Sequence, residues 1–131
     1  MTSTAGAAML GKGAYNGNSR PQAHAAALGV ELFAAAAARI EPAGGPVVIA
    51  DYGSAEGRNS LAPISAAIRA IRQRHDGAIT VIHLDRPEND FSSLFTLLRT
   101  DPGSYLAGQP NVFPLACGGS FYEQMLPPGQ V

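Results

Sequence analysis

Apolar and polar residues along this chain fall into alternating helix-like and strand-like blocks. The first 18 residues, "MTSTAGAAMLGKGAYNGN", carry no period; they are small, Gly-rich and polar, and read as a flexible arm. "SRPQAHAAALGVELFAAAAARIE" predicts a helix to about Arg39, because alanine is the strongest helix former. Ser19 and Gln22 have the spacing of a capping box, and Pro21 suits a first turn. Pro42 and Gly44-Gly45-Pro46 stop the helix. "VVIADYG" is a short β-branched run of the kind buried in a parallel sheet.

Asn59 or Ser60 then caps a second helix, with Leu61, Ile64, Ile68 and Ile71 on one buried face and Arg69, Arg72 and Arg74 turned outward. "AITVIHLD" predicts a second strand. Asp90 is placed to cap a third helix, whose stripe is Phe91, Leu94, Phe95 and Leu98. "NVFPLACGG" predicts a third strand, an edge because Pro114 cannot donate to a ladder. The tail "SFYEQMLPPGQV" reads as a turn or short helix and a Pro-Pro loop. The order α, β, α, β, α, β argues for an α/β fold with a parallel sheet of about three strands and flanking helices.

Composition narrows the function classes. The 131 residues suit one domain, and 46% apolar with 15% charged residues describe a lightly charged globule. A net charge of −1 offers no basic footprint for nucleic acid. No apolar run approaches the roughly 20 residues of a membrane span. A single cysteine, Cys117, fits a reducing cytosol, so a cytoplasmic setting is expected.

Chemistry concentrates where strands end. In Asp51-Tyr-Gly53-Ser-Ala-Glu-Gly57 an acid and two glycines stand between a strand and a helix. Gly53 lets the chain turn sharply and a ligand approach the backbone, and Gly57 lets the helix pack close to the sheet. The spacing is not that of a dinucleotide fingerprint, and there is no P-loop lysine. Taken alone, a structural turn explains the element equally well. Asp85 ends the next strand, where an acid commonly accepts from ribose hydroxyls. Together the two acids favour an adenosine-containing ligand. "GGSFY" at 118–122 places an aromatic and a hydroxyl after two glycines, with a turn carrying core aromatics as the simpler alternative. His24, His75 and His83 form no metal or catalytic set and read as core or surface residues.

Four motifs in order resemble the N-terminal part of the SABATH family of S-adenosylmethionine-dependent methyltransferases, with the bacterial branch closest. Tyr15, Asn18, Ser19 and Gln22 resemble its Y-x-x-N-S-x-x-Q; Ala50, Asp51, Gly53, Gly57 and Asn59 resemble its A-D-x-G-x-x-x-G-x-N. Asp85, Pro87, Asn89, Asp90 and Phe91 resemble D-x-P-x-N-D-F, and Gly119 to Tyr122 resemble G-S-F-Y. The resemblance implies a partial Rossmann-like class I methyltransferase fold. It places residues 19–131 as the N-terminal half of a cofactor-binding domain, behind the arm of residues 1–18.

By position, the resemblance puts Asp51 and Gly53, with Tyr15 and Ser19, at the methionyl end of S-adenosyl-L-methionine, and carries Asn59 along as a cofactor-side position. Asp85 would take the ribose hydroxyls, Arg86 would lie near the adenine, and Ser120 and Phe121 would bind it. Gln22 and Tyr122 fall on the substrate side, facing a small-molecule carboxylic acid, with Lys12 as a further substrate-side position. Arg86 stands where the family often has an aliphatic residue. A carboxylate is already ionised at neutral pH, so the implied catalysis is in-line alignment with water excluded. The family's sheet has seven strands, so three would leave an open edge suited to homodimer or partner pairing. Two other classes remain: a non-catalytic α/β module binding an adenine nucleotide or a protein partner, and a nicotinamide-binding half-domain, disfavoured by the missing third glycine.

Overall fold

The computed structural model describes residues 20–42 and 44–131. Helix α1 (Arg20–Ala37) leads into strand β1 (Val47–Tyr52), a 3-10 turn (Arg58–Ser60) and helix α2 (Leu61–Arg72). Strand β2 (Ile79–Asp85), helix α3 (Phe91–Thr100) and strand β3 (Val112–Gly118) follow. The three strands are parallel and lie in the order β1-β2-β3, which is the α/β arrangement expected from the pattern. Pro114 sits on an edge strand, where its missing N–H costs no ladder bond.

The helices form for local reasons and are held by one core. Leu61, Ile64, Ile68 and Ile71 are all buried, as their 3-4-3 spacing requires. In α3 the stripe is narrower: Leu94 and Leu98 are buried, while Phe91 and Phe95 are half-buried. Asp90 caps that helix. Its carboxylate accepts the Ser93 hydroxyl at 2.6 Å and the Ser93 backbone N–H at 3.0 Å. Those two bonds, the hydroxyl's first, hold the Asp90 carboxyl below the usual carboxylate range.

Side chains alternate across the sheet, so its two faces differ. Ile49, Ile79, Val81 and Val112 join Ile64, Ile68, Leu94 and Leu98 in a single cluster on the helix-covered face. On the other face Phe113 and Leu115 are each 51% exposed, in register with Thr80 and Ile82. Parallel sheets are ordinarily covered on both faces. Here only Ile49 of β1 is fully buried, so the expectation of a buried first strand holds for one residue. Among the described residues β1 pairs with β2 alone.

One expectation is overturned. Arg72 does not stand free on a solvated helix face, whereas Arg74, just past the end of α2, is exposed as expected but also bonded. The Arg72 guanidinium donates to the carbonyls of Gly77 (2.7 Å), Pro110 (2.8 Å), His75 (3.1 Å) and Asn111 (3.2 Å). Arg74 donates to the carbonyls of Ala38 and Ile40 and stands 3.7 Å from Glu41. The loops entering β2 and β3 turn several carbonyls toward α2, among them that of Asn111, which also accepts the Ile79 N–H, and a five-donor fork reaches four of them at once. Arg69 remains exposed. The tail beyond Gly118 forms turns and no helix.

Candidate functional site

The parallel register brings three strand ends to the same side of the molecule. Asp51 pairs with His83, and Asp85 pairs with Gly118. Open α/β sheets bind ligands outside the carboxyl ends of their strands, and the quoted motifs converge there.

Asp51 is held from behind. Ser60 Oγ donates to its Oδ2 at 2.6 Å, and His83 Nδ1 lies 2.8 Å from the same oxygen. Ser60 occupies the cap position of α2 but makes no capping bond, so its expected capping role gives way to this contact. His83 is fully buried, and its Nε2 lies 2.7 Å from the Tyr105 hydroxyl. The rings of His83 and Tyr105 stack with centroids 5.9 Å apart. Both contacts fall on Oδ2, and Asp51 Oδ1 has no partner among the described residues.

The turn after β1 is stitched to β2. The Gly53 N–H donates to the Leu84 carbonyl at 2.8 Å, and Gly53 has a φ of 80° with nothing within 4 Å of a would-be Cβ. The Ala55 N–H donates to Asp85 Oδ2 at 2.8 Å, and Asn89 Nδ2 donates to the Ala55 carbonyl at 2.8 Å. Ala55 holds a φ of 48°, a strained choice for a residue with a Cβ, and those two bonds keep it there. Asp85 Oδ1 accepts the Arg86 N–H at 2.8 Å. Each Asp85 oxygen therefore spends one lone pair on backbone and keeps another, which suits two hydroxyl donors. Residues Gly53 to Asn59 line a pocket, and Ser54 Oγ is buried beside it without a partner among the described residues.

Beyond β3 the chain folds back. The Gly119 N–H donates to the Asp85 carbonyl at 3.0 Å, tying the third element to the second. Cys117 Sγ donates to the Met125 carbonyl at 3.6 Å. Ser120 Oγ accepts the Tyr122 N–H at 3.2 Å. Phe121 meets Tyr52 edge to face, ring centroids 6.0 Å apart, with Phe121 50% and Tyr52 60% exposed. Tyr122 is fully exposed. Neither Phe121 nor Tyr122 belongs to the core cluster of the described residues.

Asp51, Gly53, Asp85, Arg86, Ser120 and Phe121 thus gather around the strand ends, and Asn59 borders the loop pocket. Tyr15, Ser19 and Lys12 lie outside the described residues, as does the side chain of Gln22 in α1. Sequence reading missed His83 and Tyr105 as site neighbours. The available signal was a polar ring between the apolar residues of "VIHL" inside strand β2.

The fold and the motif positions define a member of the SAM-dependent carboxyl methyltransferase family, to which the chain belongs: residues 5–131 match that family. It is 36% identical over 124 residues to the protein named Methyltransferase FUS9 of Gibberella moniliformis (strain M3125 / FGSC 7600), covering 92% of this chain and 34% of that relative. Against Methyltransferase LUC1 of a Fusarium species the figures are 37% over 84 residues, 63% of this chain and 22% of the relative. The chain therefore spans about a third or less of the length of these curated relatives. A solved structure titled "Loganic acid methyltransferase with SAH" superposes with a TM-score of 0.63 at 22% identity, covering 86% of this chain and 33% of its own. That likeness gives the Rossmann-like fold.

Proposed function

We propose that residues 19–131 are the N-terminal half of a cofactor-binding domain that serves methyl transfer from S-adenosylmethionine to a small carboxylic acid. The observation that carries this reading is the order of the strand ends. Asp51, Asp85 and the Gly119–Phe121 turn stand side by side in the sheet order β1-β2-β3, and backbone bonds tie each to the next.

When bound, the cofactor supplies a methyl group on a positively charged sulfur. Asp51 Oδ1 accepts from its ammonium group, and Gly53 opens the backbone beside it. Asp85 accepts from the two ribose hydroxyls with its remaining lone pairs. Ser120 and Phe121 hold the adenine, with Arg86 at its margin. Tyr15 and Ser19 complete the methionyl side, Asn59 lines the cofactor side of the loop, and Gln22 and Tyr122 face the acceptor. The chain needs no general base here, since an ionised acceptor carboxylate is itself the nucleophile; its task is alignment. The free thiol of Cys117 suits a cytoplasmic setting, and among the described residues no helix is long and apolar enough to cross a membrane.

Calorimetric titration with S-adenosylhomocysteine, with chain mass checked in the same sample, tests the reading. A Kd on the order of micromolar, with ATP and NAD bound far more weakly, is expected. A folded chain that binds none of the three, or that prefers ATP or NAD, overturns it in favour of an interaction module or another nucleotide reader.

A further inference from the structure

A polar ring in the middle of a buried parallel strand is costly unless its nitrogens are satisfied, and an aliphatic side chain would fill the position more cheaply. His83 is such a ring. Its side chain is 0% exposed, Val81 and Leu84 beside it are equally buried, and its partners are Asp51 Oδ2 at 2.8 Å and the Tyr105 hydroxyl at 2.7 Å. Tyr105 is itself buried, and the loop that supplies it joins α3 to β3.

We infer that His83 and Tyr105 are positioning residues, a buried hydrogen-bonded pair that fixes the Asp51 carboxylate so that Oδ1 faces the amino-acid end of the cofactor. The inference rests on the reading of Asp51 as the acceptor for the cofactor's ammonium.

The direction of each bond follows from the chemistry of the partners. An ionised carboxylate only accepts, so Nδ1 carries its proton and donates to Asp51 Oδ2. In the neutral ring Nε2 is then an acceptor, and the Tyr105 hydroxyl donates to it. Burial and the Asp51 charge both push the Tyr105 phenol well above its ordinary value, so the phenol keeps its proton. Ser60 donates to the same Asp51 oxygen at 2.6 Å from the opposite element. Two donors on one oxygen set the carboxylate's rotation and leave the other oxygen outward, at a side chain only 18% exposed. The pair touches no part of the ribose or adenine region, because Asp85 is bonded to Ala55 and Arg86 instead.

That separation makes the inference testable with two ligands. S-adenosylhomocysteine carries the amino-acid end; 5′-methylthioadenosine lacks it. Titrating the wild-type chain, His83→Leu, His83→Asn and Tyr105→Phe with both, a positioning role predicts that His83→Leu weakens S-adenosylhomocysteine roughly tenfold or more while methylthioadenosine stays within about twofold. His83→Asn, whose amide can donate from nearly the same place as Nδ1, recovers most of the loss, and Tyr105→Phe gives a smaller loss of the same selectivity. Equal weakening of both ligands, or no weakening of either, overturns the inference while leaving the cofactor reading intact. A wild-type chain that binds neither ligand overturns the cofactor reading first, and the inference with it. Should His83→Leu fail to fold, the long-range imidazole ¹H–¹⁵N correlation of the wild-type chain decides: a protonated Nδ1 supports the pair as drawn, and a ring protonated at Nε2 alone overturns it.

Discussion

At the scale of single residues, the site is built from side chains whose second contacts matter as much as their first. Asp51 ends a strand, but its orientation depends on Ser60, nine positions on, and on His83 in the neighbouring strand. Tyr105 closes this group from below, and its titration gives a measurable consequence. The phenol's ordinary value is 10.0; burial first, and the negative charge of Asp51 second, raise it in the folded chain. The sign follows from proton counting. Above about pH 10 the unfolded chain gives up the proton while the folded chain keeps it, so this group's stabilisation is whole below the unfolded value and is lost as pH rises through the folded one. The slope approaches about 1.4 kcal/mol per pH unit for a single proton. Urea unfolding between about pH 9 and 11 should therefore show the stability gap between wild type and Tyr105→Phe shrinking as pH rises. A gap that widens or stays constant would contradict a raised phenol.

At the scale of elements, two glycines separate conformational need from mere presence. Gly57 has a φ of 92°, and a Cβ there would stand 3.3 Å from Leu94 Cγ and 3.4 Å from Leu97 Cδ2. It is where the loop after β1 meets α3, so Gly57→Ala meets both strain and crowding and should cost about 1–3 kcal/mol. Gly29, inside α1, has open space around its would-be Cβ and no positive φ. Gly29→Ala should stabilise by roughly 0.5–1 kcal/mol. Denaturant midpoints measured for both variants check the opposite signs. The same contrast separates features legible in the sequence from those that only the fold supplies. The cap Asp90, the buried stripe of α2 and the edge Pro114 depend on neighbours within a few residues, and each follows from spacing. Arg72 gave the opposite result. At the last turn of a helix it reads as a solvated cation; two of the carbonyls that take its donors, those of His75 and Gly77, are close in sequence, but the other two come from a loop 38 and 39 residues away that only the fold brings near. His83 was hidden for a like reason, since its pairing with Asp51 is a matter of strand register.

At the scale of the whole molecule, the sheet order turns a set of short motifs into an axis. β2 lies between β1 and β3, so the Asp85 end stands between the Asp51 end and the end of β3, while the Phe121 ring reaches back to meet Tyr52 beside Asp51. Neighbouring strands are about 4.8 Å apart, so the three ends together span on the order of 10 Å. If the ligand lies along this axis, its parts should be lost separately. Asp51→Asn retains an oxygen for Ser60 but removes the charge. It should weaken S-adenosylhomocysteine by roughly tenfold and leave adenosine nearly unchanged, because only the former carries an ammonium. Asp85→Asn replaces one acceptor oxygen by a donor, opposite a backbone N–H at Ala55 or Arg86. It should weaken adenosine and S-adenosylhomocysteine together, and lower the unfolding midpoint as well, since the β1 turn and the β2 end are tied through that carboxylate. Parallel calorimetric titrations of the two variants with the two ligands check the pattern. If Asp51→Asn weakens adenosine as much as Asp85→Asn does, the ligand does not lie along the strand ends in the order β1-β2-β3, and the placement of the methionyl end at Asp51 fails.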